Sequence, residues 1–328
     1  EGKMYILQSE IIQEMEKFEN EDTANGSAEN PYHISTKGQL YTFMLRCYNN
    51  ESGEYGRYKN LCYKLTNDIE LDGSVSWRDF DFNGVFDGDG HTISGNRENT
   101  MFGFLLGDAI IRNLKLNVNV TSNESGLTNF GPLARTVDGG QVINCVNMAD
   151  FSVSNPNAGG LVGAMFSGAK MIGCANTGDI LAKSNKIGGL VAELYSGATI
   201  ECSYSTGKIQ FTGDFYIEGD EYHFGGLAGM MNASEPGEWG LATMAGCWTN
   251  TTIEAEENKK TDIVFNGSEN FDWFSCFKVE SVPSPENIND MNKSLTNTMY
   301  MFGTDGTIVP FVEKEPSITL PEIEVEDF

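Results

Sequence analysis

The sequence predicts an all-β protein, a right-handed parallel β-helix with N-terminal and C-terminal capping helices. The first observation is a glycine-rich motif that recurs as Gly159-Gly160-Leu161-Val162-Gly163, Gly188-Gly189-Leu190-Val191-Ala192 and Gly225-Gly226-Leu227-Ala228-Gly229. The second is a cysteine that follows each copy, at Cys174, Cys202 and Cys247. The leucines Leu133, Leu161 and Leu190 are 28 and 29 residues apart, and Cys145, Cys174 and Cys202 are 29 and 28 apart, so both landmarks advance together. The whole unit therefore repeats, which is the signature of a solenoid-type fold.

The residues between the landmarks favour strands over helices. Short apolar alternations, such as Ile143 to Cys145 and Ile200 to Cys202, are broken by Gly, Asn, Thr and Ser, whereas helical repeats need longer segments with a period of 3.6. Turns of a β-helix stack at about 4.8 Å, and neighbouring turns share one apolar core. We expect the recurring leucines, Leu161 and Leu190 among them, to face that core.

Two degenerate copies precede the regular ones. Phe130-Gly131-Pro132-Leu133 is followed by Cys145, and Met101-Phe102-Gly103-Phe104-Leu105 is followed by Leu114 in the cysteine position. Residues that share a register on successive turns stack inside a β-helix, and free cysteine behaves there as a small apolar side chain. The predicted ladder of free thiols therefore comprises Cys145, Cys174, Cys202 and Cys247. The sequence places Cys47, Cys62 and Cys276 outside this ladder and leaves open whether Cys47 and Cys62 pair.

The chain divides into an N-terminal helix and linker (1–30), a β-helix with helical caps (31–312) and an acidic tail (313–328). Thr36 or Ser35 is expected to cap the second helix, and the regular turns are expected from about 100 to 265. The remaining predicted elements are a helix over 4–18, a strand over 31–35, a helix that carries Leu40 to Cys47, a strand over 63–71, a closing helix over 286–299 and a last strand over 307–311.

The composition is strongly acidic, with 47 acidic and 21 basic residues. This balance argues against nucleic acid or an anionic membrane as a partner. The sequence has no apolar run near the ~18 residues that span a bilayer, so we expect no membrane span. Because the chain begins Glu1-Gly2-Lys3 without an initiator methionine, we expect a processed chain, and export is left open.

The repeats resemble the GLUG motif of bacterial surface proteins, including the repeats attached to secreted IgA-cleaving peptidases. The resemblance extends over roughly 30 to 312 and is specific for fold. It is carried, beyond the glycine motifs, by Asn30-Pro31-Tyr32-His33-Ile34-Ser35, Leu65-Thr66-Asn67-Asp68-Ile69-Glu70-Leu71, Gly84-Val85-Phe86-Asp87-Gly88-Asp89-Gly90-His91-Thr92-Ile93-Ser94-Gly95 and Ile288-Asn289-Asp290-Met291-Asn292. It implies an extracellular or cell-surface protein of a host-associated bacterium, with a lipid anchor as one mode of attachment.

No catalytic constellation stands out in the sequence. The three histidines, His33, His91 and His223, are isolated, and neither a zinc-peptidase motif nor a P-loop is present. Asp87 and Asp89 begin an Asp-Gly-Asp-Gly segment and are weak candidate ligands for Ca²⁺, the one cofactor considered. The segment lacks the remaining ligands of an EF-hand, and the competing interpretation is a turn at a corner of the β-helix.

The spacing of the landmarks changes near the end of the repeats. Cys202 to Leu227 and Leu227 to Cys247 are each eight or nine residues longer than the corresponding earlier intervals. Insertions in repeat proteins form loops that often lie on the binding face, and amphipathic aromatic rings supply contact area there. The predicted ligand-binding residues are Asp214, Tyr216, Glu218, Asp220, Tyr222, His223 and Trp239. The alternative is that these aromatic rings only pack the insertions onto the wall of the β-helix.

Three functions are compatible with this reading. The first is a non-enzymatic surface module, an adhesin that binds an extracellular glycan or another host or bacterial surface ligand. The second is a polysaccharide lyase or glycoside hydrolase, since parallel β-helices carry such sites on carboxylates from several turns. The third is a structural spacer within a larger secreted protein.

Overall fold

The computed structural model describes residues 15–48, 56–74, 76–122, 128–154, 157–195, 197–212, 223–232, 240–255, 260–266, 271–296 and 299–310. Up to the end of the second regular glycine motif, the elements are β1 (Tyr32–Ile34), α1 (Lys37–Tyr48), a 3-10 helix (Gly56–Asn60), β2 (Cys62–Leu65), β3 (Ile69–Asp72), β4 (Val85–Asp87), β5 (Thr92–Arg97), β6 (Phe102–Leu106), β7 (Ile110–Arg112), β8 (Lys115–Ser122), β9 (Asn129–Phe130), β10 (Ala134–Asp138), β11 (Gln141–Ile143), β12 (Val146–Asn147), β13 (Phe151–Val153), β14 (Asn157–Gly159), β15 (Val162–Phe166), β16 (Lys170–Ile172), β17 (Ala175–Asn176), β18 (Ile180–Ala182) and β19 (Lys186–Gly188).

The later elements are β20 (Val191–Tyr195), β21 (Thr199–Glu201), β22 (Tyr204–Ser205), β23 (Ile209–Phe211), β24 (His223–Gly225), β25 (Ala228–Asn232), β26 (Ala242–Ala245), β27 (Trp248–Thr249), β28 (Ile253–Glu254), β29 (Lys260–Thr261), β30 (Val264–Asn266), β31 (Phe271–Phe274), β32 (Phe277–Lys278), α2 (Pro285–Ser294), β33 (Tyr300–Phe302) and β34 (Ile308–Pro310).

The repeats build four parallel sheets, so the protein is an all-β molecule of parallel sheets with few helices. Sheet A has the order β1-β2-β4-β7-β11-β16-β21-β26-β31, sheet C the order β30-β25-β20-β15-β10-β6, and sheet D the order β29-β24-β19-β14-β9. Sheet B runs β28-β23-β18-β13-β8-β12-β17-β22-β27-β32, with β5 paired to β8 and β3 paired to β5. Each regular repeat contributes one strand to C, one to A, two to B and one to D. A separate antiparallel pair joins β33 and β34.

The register of the strands follows the sequence repeat. Val162 pairs with Ala134 on one side and with Val191 on the other, one repeat apart in each direction. Leu133, Leu161 and Leu190 are each fully buried. The N–H of Leu161 donates to the carbonyl of Leu190 at 2.9 Å, and the N–H of Leu133 donates to that of Leu161 at 3.0 Å. The prediction that these leucines face the core is confirmed.

Close backbone approach explains why two glycines precede the leucine in each of the three regular copies. Sheet D folds back over sheet C, so a Cβ built on Gly159 would lie 1.9 Å from the carbonyl oxygen of Val162. The next residue, Gly160, faces the following repeat, and its Cβ would lie 2.0 Å from the carbonyl oxygen of Gly189. Both distances are far inside van der Waals contact with backbone atoms that cannot rotate away. Any side chain at these positions would force the backbone apart.

The predicted cysteine ladder is correct except at one position. Sheet register places Ser203, not Cys202, between Cys174 and Cys247, because Ala175 pairs with Tyr204 and Glu201 pairs with Ala245. Ser203 Oγ accepts the N–H of Cys174 at 3.1 Å, just as Cys174 Sγ accepts the N–H of Cys145 at 3.4 Å. The side chain of Ser203 therefore occupies the interior position of its repeat.

One further thiol prediction changes with the register. Cys276 belongs to the ladder, because Ala245 pairs with Phe274 and Trp248 pairs with Phe277, which aligns Cys276 with Cys247. None of the seven cysteines is in a disulfide, which answers the question that the sequence left open: Cys47 and Cys62 do not pair. Burial raises the pKa of the Cys174 and Cys247 thiols, which keeps both of them protonated at neutral pH.

Cys202 departs from the ladder because it occupies a corner between sheets A and B. The corner residue of each repeat has a positive φ angle, which turns its side chain away from the core; these residues are Asn113, Asn144, Gly173, Cys202, Gly246 and Ser275, with φ between 48° and 65°. Asn and Gly tolerate this conformation best. Cys202 is nevertheless buried, in a second apolar cluster formed with Trp248, Ile288, Met291 and Phe302.

The N-terminal end of the sheets is covered. Helix α1 is buried along most of its length, and the ring of Phe43 contacts the rings of Tyr63, Phe82 and Phe86 at 4.5 to 5.7 Å between centroids. Thr36 is the cap, since its Oγ1 accepts the N–H of Gln39. The edge of β1 is satisfied by Asn20, whose Oδ1 accepts the N–H of His33 at 2.8 Å and whose Nδ2 donates to the carbonyl of Pro31 at 2.9 Å. Such cover prevents edge-to-edge association.

Two predicted elements near the N-terminus change. Most of the predicted helix over 4–18 lies outside the described residues, and residues 15–18 are not helical. The predicted strand over 63–71 is two strands, because residues 66–68 turn the chain from sheet A to sheet B between β2 and β3. The parallel sheets also begin well before residue 100, at β1. The early repeats are shorter, since Tyr63 pairs with Phe86, only 23 positions on, and this shortening hides them from a search at the regular period.

The C-terminal segment (described residues 285–296 and 299–310) lies along the side of the repeats. Helix α2 ends at Ser294, earlier than predicted, and buries Ile288 and Met291 against Cys202 and Trp248. Trp248 stacks on Tyr204 of the preceding repeat at 4.7 Å, and its Nε1 donates to the carbonyl of Gly306. The predicted last strand is β34. The acidic tail over 313–328 lies outside the described residues, and neither helix in the described part of the chain is long and apolar enough to cross a membrane.

Candidate functional site

The candidate site lies where sheet D folds over sheet C, and most of its residues are buried. Register positions there carry small or neutral residues in one repeat and ionisable residues in the next. Ala164 pairs with Glu193, and Asn157 pairs with Lys186. We refer to the surface around these residues and His223 as the C–D corner.

Glu193 is a buried carboxylate at the centre of the C–D corner. Only 4% of the residue is exposed, and burial of a charge requires compensation by donors. Lys186 Nζ lies 2.7 Å from Oε1, and Asn157 Nδ2 donates to Oε2 at 2.8 Å. The two oxygens therefore have separate partners from two neighbouring repeats, and Glu193 joins the strands of sheet D to sheet C.

Tyr195 adds a third partner to the carboxylate. Burial raises the pKa of the Tyr195 hydroxyl, and the charge of Glu193 and the hydrogen bond to it raise this pKa further. The hydroxyl therefore remains a donor at neutral pH. The ring of Tyr195 stacks on the ring of Phe166 of the preceding repeat, with centroids 4.2 Å apart and planes 13° apart. This aromatic pair is half-buried and lies beside the charged pair.

His223 is the one predicted ligand-binding residue that the structure describes. It is 7% exposed, its Nδ1 lies 3.2 Å from Met230 Sδ, and its N–H donates to the carbonyl of Asn185 at 2.7 Å. His223 therefore presents little surface to a ligand and packs between β24 and β25. The other six predicted residues lie outside the described part of the chain: Asp214, Tyr216, Glu218, Asp220, Tyr222 and Trp239.

The pairing register of the strands on either side gives the length of each insertion. Ala182 to Lys186 is a step of four positions, whereas the partners Phe211 and His223 are twelve apart, so the first insertion has eight residues. Tyr195 to Thr199 is also four, whereas the partners Asn232 and Thr243 are eleven apart, so the second has seven. The predicted insertion lengths of eight or nine residues exceed these values by one, because the prediction took Cys202 instead of Ser203 as the interior position of its repeat.

Both insertions join the protein at the C–D corner. The first ends at His223, and the second follows Asn232 at the end of β25. Because β24 folds back over β25, His223 lies against Met230, two positions before Asn232. Lys186, Glu193, Phe166 and Tyr195 occupy the same corner in the preceding repeats. Sequence reasoning missed these four residues, although the charges of Lys186 and Glu193 among small residues of the repeat were a visible signal.

Asp87 and Asp89, the candidate calcium ligands, each have protein partners. Asp87 accepts from Arg112 Nε at 2.8 Å, from Asn113 Nδ2 at 3.0 Å and from the N–H of Asp89 at 2.9 Å. Asp89 Oδ2 lies 2.9 Å from Lys64 Nζ. Asp89 has a φ angle of 49°, and the N–H of His91 donates to the carbonyl of Gly88, so the segment forms a turn.

Partial burial opposes ionisation of Asp87, but the hydrogen bonds and the Arg112 charge outweigh burial and lower its pKa. Among the described residues, no group of three or more His, Cys, Asp or Glu side chains is arranged to hold a metal ion. Ca²⁺ binding at Asp87 and Asp89 stays a prediction.

Comparison with known proteins gives no family assignment: no family model, curated protein or solved structure matches the chain.

Proposed function

We propose that the chain is a right-handed parallel β-helix of the GLUG-repeat kind that acts as a non-enzymatic binding module at a bacterial surface or in a secreted protein. The parallel register supports the fold part of this proposal. The chain enters sheets C, A, B and D in the same order in each regular repeat, at steps of 28 or 29 residues, and the leucine and thiol positions remain inside.

The observation that carries the function is the attachment of both insertions at the C–D corner. Repeats without insertions present a regular wall, whereas the described ends of both insertions, at His223 and Asn232, meet at this corner, which singles it out as the proposed ligand site. Glu193, Lys186 and Asn157 tie sheets C and D together at this corner, which gives it a rigid support. Rigid supports lower the entropic cost of binding.

An extracellular glycan is the ligand class we propose for this corner. The insertions contribute Tyr216, Tyr222 and Trp239, whose rings offer apolar faces and polar edges that suit sugar rings. The neighbouring Asp and Glu residues and the acidic chain disfavour phosphate-rich ligands.

A glycan array with the purified chain tests this proposal. The expected result is binding to a defined set of oligosaccharides, reduced at least ~10-fold by Tyr222→Ala or Trp239→Ala, since hot-spot aromatic residues contribute most at binding surfaces. Leu181→Ala, on the outer face of sheet B, is the matched control and should bind as the wild type does. Equal binding by all variants would show that the insertions are not part of the binding surface.

The enzymatic alternative has a separate test. Incubation with polysaccharides that the array identifies should release no new reducing ends or unsaturated products if the protein only binds. Product formation that Glu193→Gln abolishes would favour a lyase or hydrolase at the C–D corner. Absence of both binding and turnover would favour the spacer function.

A further inference from the structure

A concave surface lies away from the C–D corner, between sheet A and the C-terminal segment. It is a groove of about 560 Å³, within the range of small-molecule sites. Its floor is a column of outward side chains from four successive strands of sheet A, namely Gln141, Lys170, Thr199 and Thr243. Its opposite wall includes Ser294, Thr296 and Met299.

Glu201 holds the wall in place. This residue is 5% exposed, and its carboxylate accepts both the N–H of Thr296, at 3.1 Å, and the Thr296 hydroxyl. Helix α2 fixes the same segment by packing Met291 against Cys202 and Trp248. The wall of the groove is therefore held by contacts within the chain, and the Glu201 carboxylate is directed at the wall instead of the open space.

The floor has an unusual composition for a binding surface in so acidic a chain. Its groups are an amide, an ammonium and two hydroxyls, and Lys170 is the single cation among the described residues that line the groove. Gln141, Thr199 and Thr243 are half-buried, whereas Lys170 is exposed. Amides and hydroxyls both donate and accept hydrogen bonds, so this floor suits a neutral, hydroxyl-rich ligand or one with a single negative charge.

The geometry of the floor is periodic. Neighbouring parallel strands lie about 4.8 Å apart, so equivalent side chains repeat along the groove at a spacing close to the length of one hexose unit. A chain of sugar units laid along the groove meets a polar group of the floor at each unit. A compact phosphate or an aromatic ligand gains nothing from this spacing.

We infer that this groove is a binding site for a short stretch of a polysaccharide chain, two or three sugar units long. The hydroxyls of the sugars exchange hydrogen bonds with Gln141, Thr199 and Thr243, and Lys170 contacts a ring oxygen or the carboxylate of a uronic acid. The ligand class rests on the proposed function, whereas the site is separate from the insertions at the C–D corner.

The test uses the whole chain and an array of neutral hexose oligomers and uronic-acid-containing oligomers, followed by calorimetric titration of the oligomer that binds best. The double variant Thr199→Val with Thr243→Val preserves side-chain shape and removes two hydroxyls. Each lost hydrogen bond weakens binding roughly 2- to 10-fold, so the dissociation constant should rise by roughly 4- to 100-fold when both hydroxyls are removed. A circular dichroism melt checks that the double variant keeps the wild-type fold.

The charge test uses Lys170→Met, with Lys183→Met as a matched control because Lys183 is an exposed lysine that does not line the groove. Lys170→Met should weaken binding of uronic-acid-containing oligomers more than of neutral ones, and Lys183→Met should change neither. If the double threonine variant binds as tightly as the wild type, or if the wild type binds no oligomer, the proposal that this groove is a binding site is wrong. If Trp239→Ala abolishes binding and the groove variants bind normally, the proposed function stands and only the proposed binding site in the groove is refuted.

Discussion

Substitution of Gly188 by alanine tests the physical reason for the glycine repeat. A Cβ at Gly188 would lie 1.8 Å from the carbonyl oxygen of Val191 and 2.5 Å from the nitrogen of Gly229. Relief requires a backbone shift of more than 1 Å, estimated roughly from a normal contact of about 3.4 Å. The same backbone donates and accepts the hydrogen bonds between repeats, including the one from the N–H of Gly160 to the carbonyl of Gly188 at 3.0 Å.

Overpacking against movable side chains costs about 1–3 kcal/mol. Against fixed backbone we expect Gly188→Ala to lower the free energy of unfolding by about 3 kcal/mol or more. The entropic gain from replacing glycine, about 0.4–1 kcal/mol, is too small to offset this. The assay is urea unfolding followed by circular dichroism, with midpoints compared at an unchanged slope.

Gly103→Ala is the matched control. Gly103 lies in a strand of sheet C, and the nearest atoms to its Cβ position are 3.4 to 3.5 Å away. Its free energy of unfolding should change by less than about 1 kcal/mol. If Gly188→Ala is as stable as Gly103→Ala, the close approach of sheets C and D does not explain the motif.

Three other substitutions test the core, the C–D corner and the N-terminal turn. Leu161→Ala should cost about 2–5 kcal/mol in a denaturant melt, whereas Leu181→Ala, at a residue 38% exposed, should stay within about 0.5 kcal/mol; equal costs would contradict the register. Lys186→Met should cost about 3–5 kcal/mol because it leaves the Glu193 charge buried without its cation, and Glu193→Gln should cost less; the reverse order would argue against a buried charge. Asp87 has a lowered pKa in the folded state, so its stabilising contribution is present above its unfolded pKa and is lost as pH falls through the folded value. The stability difference between wild type and Asp87→Asn should therefore shrink on acidification below about pH 4, and a difference that stays constant with pH would exclude this ion pair.

The repeat, its period and the inward positions of its leucines could be predicted from the sequence. These features are local and periodic, and stacked repeats impose the same requirement at each copy, so the pattern is visible without coordinates. The glycine pairs of the three regular copies were equally visible, because backbone contact at 1.8 to 2.2 Å leaves no room for a side chain at Gly159, Gly160 and their equivalents in the two later copies. Helix α1 was also predicted, with Thr36 as one of two candidate caps.

Whether Cys202 or Ser203 faces the interior follows only from the tertiary structure. Cys202 and Ser203 are adjacent and similar in size, and only the backbone corner, where φ is positive, turns Cys202 outward and Ser203 inward. The C–D corner likewise depends on contacts across repeats, since Lys186 and Asn157 meet Glu193 from two neighbouring strands of sheet D. The sheet A groove requires Thr296 to reach Glu201, 95 positions earlier in the chain. The periodic sequence determines which residues of each repeat face the core. Contacts between repeats, and contacts with the C-terminal segment, depend on strand register and packing, and no single repeat encodes these.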